Sequence, residues 1–460
     1  MRYVSTRGGE PCGFFGAIVR GRAPNGGLCL PQDWPQLTLD DIASAARRPL
    51  AQTVEMLLLR FAGRELDPEM ALPAVREALT AFGHPAVAPL REYDANLWLL
   101  DLARGPTMSA PDAEMQVLAR LIGRTATERG GALTVLLATD GHDGPAAVEA
   151  FRERAGVGLV VLFPADGVTP AQRQAMTDPG ALNVRAVEVE TDASGCRQLA
   201  TAALADRRLA TDLRLGSIGS ENVGRVVVSA ALLLAAGARL GAPERTVSFG
   251  APAGESSVAF AAEALTQMGF GSGPVILADG DEGGLAGALA ERRYGRSDAS
   301  GSTRGMWSSA FERLYFEAVD RHVVETARAA QAFAEAGCID LSPTVRHRLS
   351  QVVQPVSIQG SEVQGEVMAA LNVAGERLDP ASAAVAAAVR RSGATALGPV
   401  VCPRLSHPAW GWAEIPRDLA SDLPPQLRRP AGAMRCDRLP ADVEALGAYL
   451  RAFAGLSRAA

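Results

Sequence analysis

From residue 97 to residue 280, the sequence alternates between short apolar runs and longer amphipathic runs. LWLLDL (97–102), LTVLLAT (133–139) and GLVVLFP (158–164) are apolar runs of strand length, and each is followed by a segment with helical spacing. Strands that alternate with helices favour a mostly parallel sheet covered by helices on both faces. The alternation therefore predicts an α/β fold built on mostly parallel sheets.

The chain divides into three predicted segments. Residues 1–96 form an N-terminal loop and helical segment, residues 97–240 a first α/β lobe, and residues 241–460 a second α/β lobe. The polar, Gly-rich stretch 280–305 within the second lobe is predicted to be an exposed loop. The apolar stretch 226–238 is too short to span a bilayer, so it is predicted to be a buried helix.

Composition narrows the class of protein. Of 460 residues, 48% are hydrophobic and 21% are charged, with a net charge of −6, which is typical of a soluble globular protein and gives no basic surface for nucleic acid. The N-terminus has no apolar core of signal-peptide length. The six cysteines show no CxxC pair and no metal-ligand spacing, which favours reduced thiols in the cytoplasm.

The chain contains no lysine: lysine plus arginine totals 45, and every one of these residues is an arginine. Lysine is normally among the commonest residues. No side-chain amine is therefore present to form a Schiff base. The absence excludes any chemistry that depends on such an amine.

Several sequence motifs follow one another in a characteristic order. The motifs are RYVSTRG at the start, APNGGLCLPQDWP, RGPTMSAPD (104–112), LLATDGHDGPAAVEAF (136–151), SSAFERLYFEAV (308–319) and RLSHPAW (404–410). In this order the chain resembles threonine synthase, a pyridoxal-phosphate (PLP) enzyme of fold type II, the tryptophan synthase β kind. The resemblance covers nearly the whole chain. It implies two open α/β lobes with a cleft between them, PLP as the cofactor of the family, and the formation of threonine from O-phospho-L-homoserine as the reaction of the family.

The resemblance implies a catalytic motif that in the family reads roughly H-G-P-T-x-A-F-K-D, and the lysine of this motif forms the internal aldimine with PLP. Here Arg104 stands in the His place, while Thr107 and Asp112 match the family. The lysine place holds Pro111, which has no nucleophile and no N–H. The resemblance therefore implies that the turn is kept and that no catalytic residue remains in it.

Two further motifs of the family differ in charge from the matching segments of this chain. The loop A-T-S-G-D-T-G, which surrounds an anionic substrate, here brings two carboxylates, and the PLP phosphate turn S-G-N-F-G becomes SFGAPAGESSVAF. Like charges at contact distance in a partly dry site repel strongly. The predicted cleft residues are Arg104, Thr107, Asp112, Thr139, Asp140, His142, Asp143, Gly250, Gly254 and Glu255.

These differences predict a threonine synthase-like pseudoenzyme. It would act through a protein partner, such as a related active enzyme or an operon neighbour, or by binding a small ligand in the old cleft. No cofactor is expected, and no nucleic acid or membrane contact. The alternative is an enzyme with lysine-independent chemistry, in which His142 would replace the lysine. A metal site at Asp140, His142 and Asp143 matches no known spacing, and a solvated acidic loop is the preferred interpretation.

Overall fold

The computed structural model describes residues 1–128, 130–177, 180–254, 257–280, 284–297, 303–304, 307–411, 423–428 and 435–459. The strands are β1 Tyr3–Ser5, β2 Cys29–Pro31, β3 Leu90–Asp94, β4 Leu97–Asp101, β5 Leu133–Ala138, β6 Val157–Pro164, β7 Val184–Val189, β8 Leu215–Ser217, β9 Ser248–Pro252, β10 Val275–Asp279, β11 Arg293–Tyr294, β12 Arg296–Ser297, β13 Thr303–Arg304, β14 Ile339–Asp340, β15 Val353–Ser357, β16 Val400–Arg404 and β17 Cys436–Leu439.

The helices are α1 Phe14–Arg20, α2 Leu39–Ala45, α3 Leu50–Ala62, α4 Pro68–Leu79, α5 Pro111–Glu128, α6 Gly144–Phe151, α7 Pro170–Thr177, α8 Ala193–Ala205, α9 Arg207–Asp212, α10 Val223–Arg239, α11 Ser257–Gln267, α12 Leu285–Glu291, α13 Ser309–Ala318, α14 Val323–Ala336, α15 Pro343–Val352, α16 Gly360–Ala374, α17 Pro380–Ser392 and α18 Val443–Ala459. Short 3-10 helices lie at Gly63–Glu65, Ala394–Ala396, Pro408–Gly411 and Pro425–Leu427.

Two open sheets organise the molecule and confirm the predicted α/β fold. The larger sheet has the strand order β15-β10-β9-β16-β4-β3, and its neighbours pair in parallel except for β3, which is antiparallel to β4. The smaller sheet has the order β17-β7-β6-β5-β8 and is parallel throughout. Helices cover both sheets, as buried parallel sheets require.

The sheets do not follow the predicted segments one for one. Strands β3 and β4 belong to the larger sheet, although they come before the strands of the smaller sheet in the chain. Strand β17, near the C-terminus, pairs with β7 in the smaller sheet. The chain therefore enters the larger sheet, builds the smaller one, returns to the larger one and ends on the smaller one.

The predicted buried helix is confirmed as α10. Every residue from Val223 to Ala238 is buried, and the helix packs against α2, α3, α5 and α11. Asn222 caps its first turn by accepting a hydrogen bond from Gly224 N at 2.9 Å. Arg225, in the first turn of this apolar helix, is also buried, at 3% exposure. A charged side chain in such a place needs partners.

The stretch 280–305, predicted as an exposed loop, contains a helix in its described part. Residues 285–291 form helix α12, and its Leu285 and Ala288 are buried. The Asp279 carboxylate accepts a hydrogen bond from Ala286 N at 2.7 Å near the start of the helix. The high Gly content concealed a short helix with one apolar face. Residues 281–283, 298–302 and 305–306 lie outside the described residues.

None of the helices in the described part of the chain combines the length and the apolar character that crossing a bilayer requires.

Candidate functional site

A cavity of about 550 Å³ lies where strands from both sheets end. The loop after β5, the loop after β9 and the start of α5 all contribute to its wall. Ligands of open parallel sheets bind outside the carboxyl ends of the strands, so this cavity is in the expected place. We call it the cleft. It is lined by polar residues from the three segments and by apolar residues that include Val258, Leu405 and Trp410.

The turn between β4 and α5 is held together by Asp112. This carboxylate is fully buried and accepts hydrogen bonds from Thr107 N (2.9 Å), Thr107 Oγ1 (2.8 Å) and Ser109 N (3.3 Å). Burial raises the pKa of Asp112 to about 7. Gly105 is needed in the turn because a Cβ there would collide with the Asp112 side chain. Thr107 and Asp112 therefore shape the turn and do not line the cleft.

Pro111 is the first residue of α5 and lines the cleft. A proline is tolerated at the start of a helix because the first N–H groups have no intrahelical partner. The resemblance assigned the family's lysine to this position, and the structure places it at the cavity wall. Position 111 thus presents a ring without a donor or a nucleophile to the cleft.

The segment around residues 404–410 supports this turn from the other side. Trp410 donates from Nε1 to Thr107 O at 2.7 Å. His407 N donates to Met108 O at 3.0 Å, and this bond joins two backbones, so it fixes the turn whatever side chains surround it. The His407 ring accepts from Ala409 N at 3.2 Å, and burial lowers the pKa of His407 to about 4. His407 therefore stays neutral and acts as part of the support of the turn.

The loop after β5 carries an aspartate–histidine pair at the mouth of the cleft. His142 Nδ1 donates to Asp140 Oδ1 at 2.9 Å, and the two side chains are 73% and 53% exposed. The hydrogen bond to Asp140 raises the pKa of His142 to about 8. Burial acts to raise the pKa of Asp140, but His142 outweighs it and lowers that pKa to about 2. The pair is largely charged near neutral pH.

Gly141 gives this loop its shape. Its φ is +110°, and a Cβ there would lie 2.5 Å from Gln172 Oε1. Thr139 Oγ1 accepts a hydrogen bond from Gly141 N at 3.0 Å and stabilises the same bend. Only glycine satisfies both the left-handed conformation and the close approach.

Asp143, two residues further on, faces a different partner. Its carboxylate accepts from Arg225 Nη1 at 2.5 Å and from Arg225 Nη2 at 3.0 Å. Glu114 of α5 accepts from Arg225 Nε and from the hydroxyls of Ser229 and Ser257. Burial acts to lower the pKa of Arg225, but the two carboxylates outweigh it and raise that pKa. We call Glu114, Arg225 and Asp143 the buried ion triad.

The triad corrects the expectation that Asp143 repels anions as a free charge. Its carboxylate is paired bidentately with a guanidinium, the geometry that makes such pairs strong. Sequence reasoning missed both Arg225 and Glu114. The available signal was a single arginine at the start of an otherwise apolar helix, since a buried cation demands carboxylate partners.

The divergent partners also bear on the metal alternative. Asp140 turns to His142, whereas Asp143 turns to Arg225. Within the described residues, no group of three or more His, Cys, Asp or Glu side chains could hold a metal ion. The acidic side chains of the loop 139–144 therefore pair with other side chains of this chain.

The segment after β9 contains two predicted site glycines with different surroundings. A Cβ on Gly250 would lie 2.7 Å from Val385 Cγ1 and 3.0 Å from Val389 Cγ2, so this glycine allows α17 to pack closely and does not line the cleft. Gly254 lines the cleft and has a φ of +97°. A Cβ added there would meet no atom within 4 Å. Glu255 lies outside the described residues.

The remaining predicted residues divide between the cleft and its surroundings. Thr139, Asp140, His142 and Asp143 line the cleft with Pro111 and Gly254. Arg104 does not line it, because its Nε donates to Asp101 Oδ2 at 2.7 Å. The charged groups that line the cleft are Arg22, Glu114, Asp140, His142, Asp143, Arg197, Glu221, Arg225 and Asp379. Five carboxylates thus face three guanidiniums and a largely protonated His142, which leaves a net charge of about −1 near neutral pH.

Comparison with known proteins gives one consistent family. Residues 2–78 match the family model "Threonine synthase N terminus". The threonine synthase of Pseudomonas aeruginosa is 29% identical over 413 residues, covering 89% of this chain and 88% of that protein. The crystal structure of PLP-bound threonine synthase from Brucella melitensis is 30% identical, covers 99% of both chains and superposes with a TM-score of 0.86. Yeast threonine synthase, at 20% identity and a TM-score of 0.83, shares the fold.

The expectation that no cofactor is involved is wrong in the light of these findings. The Brucella melitensis relative was solved with PLP bound, and it is similar to this chain over its whole length. The expectation rested on Pro111 and on added negative charge, of which the Asp143 part is paired with Arg225 and is not a free charge. The loss of a covalent anchor does not by itself remove a binding site.

Proposed function

This chain belongs to the threonine synthase family, and we propose that it keeps the cleft of the family as a binding site while lacking the lysine-dependent catalysis. The observation that carries the proposal is Pro111. It lines the cleft at the place of the family's lysine, in a chain with no lysine at all. A PLP reaction of the threonine synthase type needs an amine that forms the covalent link and then moves protons. This chain has no side chain that can do both.

PLP remains the cofactor to which the relatives point, and we propose that this chain holds it without a covalent link. The cavity of about 550 Å³ has the size of a small-molecule site. Gly254 leaves the backbone of the segment after β9 open toward the cleft. Bound PLP supplies an electron sink for carbanions. In this proposal the residues that line the cleft bind and orient PLP, and they do not replace the missing amine.

A second candidate function is an enzyme with lysine-independent chemistry. The specific observation in its favour is the Asp140–His142 pair, since the Nδ1 hydrogen bond fixes the imidazole and leaves Nε2 available at the mouth of the cleft. A carboxylate that orients a histidine is the usual arrangement of a general acid–base group, and a pKa of about 8 makes His142 mainly a proton donor near neutral pH. In this version His142 moves the proton and a noncovalently held ligand reacts.

Genetic complementation tests the loss of function. The gene is expressed in a threonine auxotroph that lacks its own threonine synthase, beside the Pseudomonas aeruginosa gene as the positive control. We expect growth only with the control. Growth supported by this gene alone would refute the proposal.

Borohydride reduction tests the mode of PLP binding. The purified protein is mixed with PLP, reduced, denatured and measured by intact-protein mass spectrometry. We expect PLP to raise the melting temperature but no pyridoxyl adduct on any side chain, because an imine to lysine cannot form. A stoichiometric adduct would contradict noncovalent binding, and the absence of any thermal shift would contradict PLP binding.

A protein partner and a cytoplasmic location complete the proposal. The partner is a related active enzyme or an operon neighbour, and the exposed side chains Asp140 and His142 of the loop 139–144 are the candidate contact surface. Scattered free cysteines support the reducing compartment. Affinity purification from native cells should recover a stoichiometric protein. Recovery of the chain alone, with a metabolite that raises its melting temperature, would favour the small-ligand version.

A further inference from the structure

The buried ion triad leaves Arg225 without a free face for a ligand. Its Nε donates to Glu114, and its two Nη atoms donate to Asp143 at 2.5 and 3.0 Å. Both side chains line the cleft, and Arg225 is 3% exposed whereas Asp143 is 22% exposed. A bidentate carboxylate on a guanidinium is also how an arginine holds the carboxylate of a bound molecule. Asp143 thus takes the position that a ligand carboxylate would take.

We infer that Asp143 is a specificity-determining residue, an internal occupant of an anion site centred on Arg225. With Asp143 in place, the end of the cleft formed by loop 138–144 excludes ligands that bring a carboxylate or phosphate to it. The ligand of this cleft is therefore a small molecule whose group at this end is uncharged or basic. This inference rests on the proposed ligand-binding function and names the chemistry of that ligand.

The charges around the triad act in the same direction. Glu114 already places a second carboxylate on Arg225, so Arg225 does not carry surplus positive charge. Glu221 and Asp379 are buried at the wall, where each accepts hydrogen bonds from its own segment. Arg22 and Arg197 are the other guanidiniums among the lining residues, and they do not offset the five carboxylates. An anion that enters beside Asp143 would meet uncompensated negative charge.

Chemical rescue tests the inference. Asp143→Ala removes the internal carboxylate and leaves a space of carboxylate size beside the buried guanidinium, whose two Nη atoms lose their acceptor while Nε still donates to Glu114. We expect sodium acetate, at constant ionic strength set with chloride, to raise the melting temperature of this variant along a saturating curve. The native protein should show no saturable response to acetate. We therefore expect the acetate affinity of the variant to exceed that of the native protein by at least about tenfold.

Asp140→Ala is the matched control, because it removes a carboxylate from the same loop that faces His142 instead of Arg225. Acetate should not stabilise it saturably. Asp143→Thr, which restores the hydroxyl of the family's loop, is a second variant in case Asp143→Ala does not fold, and inorganic phosphate is a second probe. An equal response of native protein and variants, or a folded Asp143 variant that binds neither anion, would overturn the inference. These results do not depend on turnover, so they are separable from a failure of the proposed function.

Discussion

Pro111 is the residue on which the loss of catalysis depends, and its replacement makes a direct test at the residue scale. Pro111→Lys returns an amine to the cleft wall at the first turn of α5. Glu114 lies three residues further along the same helix, within reach of that amine, and a nearby carboxylate favours the charged ammonium. We expect phosphate release from O-phospho-L-homoserine to stay at least about a hundredfold below that of the Pseudomonas aeruginosa enzyme, since a misplaced base forfeits about 10²–10⁴-fold. Rates approaching that enzyme would show that lysine alone was missing.

His142 gives a pH-dependent prediction. Its pKa is raised from 6.5 to about 8 by Asp140, so the pair's contribution to stability is fully present below pH 6.5 and is lost as the pH rises through 8. NMR titration of the native protein should place the His142 pKa near 8. In Asp140→Asn it should fall back toward 6.5, and the slope of unfolding free energy against pH in this window should become flatter. An unchanged His142 pKa in the variant would show that Asp140 does not set it.

The single residues show where sequence reasoning succeeded and where it stopped. Pro111 at the cleft wall followed from a local word, RGPTMSAPD, whose turn the structure reproduces around Asp112. The partner of Asp143 did not follow from any local word, because Arg225 lies 82 residues along the chain. Glu114 reaches the same guanidinium from 111 residues away. Charge compensation across such separations depends on packing, which no local pattern encodes.

At the scale of elements, the packing of β9 against α17 can be tested through Gly250. A Cβ at Gly250 would approach Val385 and Val389 to 2.7 and 3.0 Å in a dry core. Gly250→Ala should lower the unfolding free energy by about 1–3 kcal/mol, as overpacking does. Urea unfolding at equilibrium measures this change in the free energy of unfolding.

Gly287→Ala in α12 is the matched control, since a Cβ there meets no atom within 4 Å. Helix propensity predicts that it gains up to about 1 kcal/mol. If both variants behave alike, the close approach of β9 and α17 is not what requires glycine at 250.

The elements themselves were predictable where periodicity was strong. The strand and helix alternation predicted β5, β6 and their following helices, and the apolar stretch 226–238 predicted α10. Helix α12 was missed, because Gly and charged residues around 280–305 resemble a loop in composition although Leu285 and Ala288 share one face. Sheet membership was also beyond local patterns: β4 and β17 join sheets built mainly from distant parts of the chain.

At the scale of the whole molecule, the fold of a PLP-bound relative is retained over 99% of both chains, with a TM-score of 0.86. The core explains this retention: α10 is buried throughout and packs against helices from both halves of the chain. Packing of this kind does not require a catalytic residue. The fold therefore persists although the lysine place is a proline.

The central claim is that this cleft binds without performing the lysine-dependent reaction. The most direct measurement mixes the purified native protein with PLP and O-phospho-L-homoserine and follows phosphate and threonine, with the Pseudomonas aeruginosa threonine synthase as the positive control. The account predicts no phosphate release above that of PLP alone and no threonine. Threonine formed in proportion to the amount of this protein would contradict it.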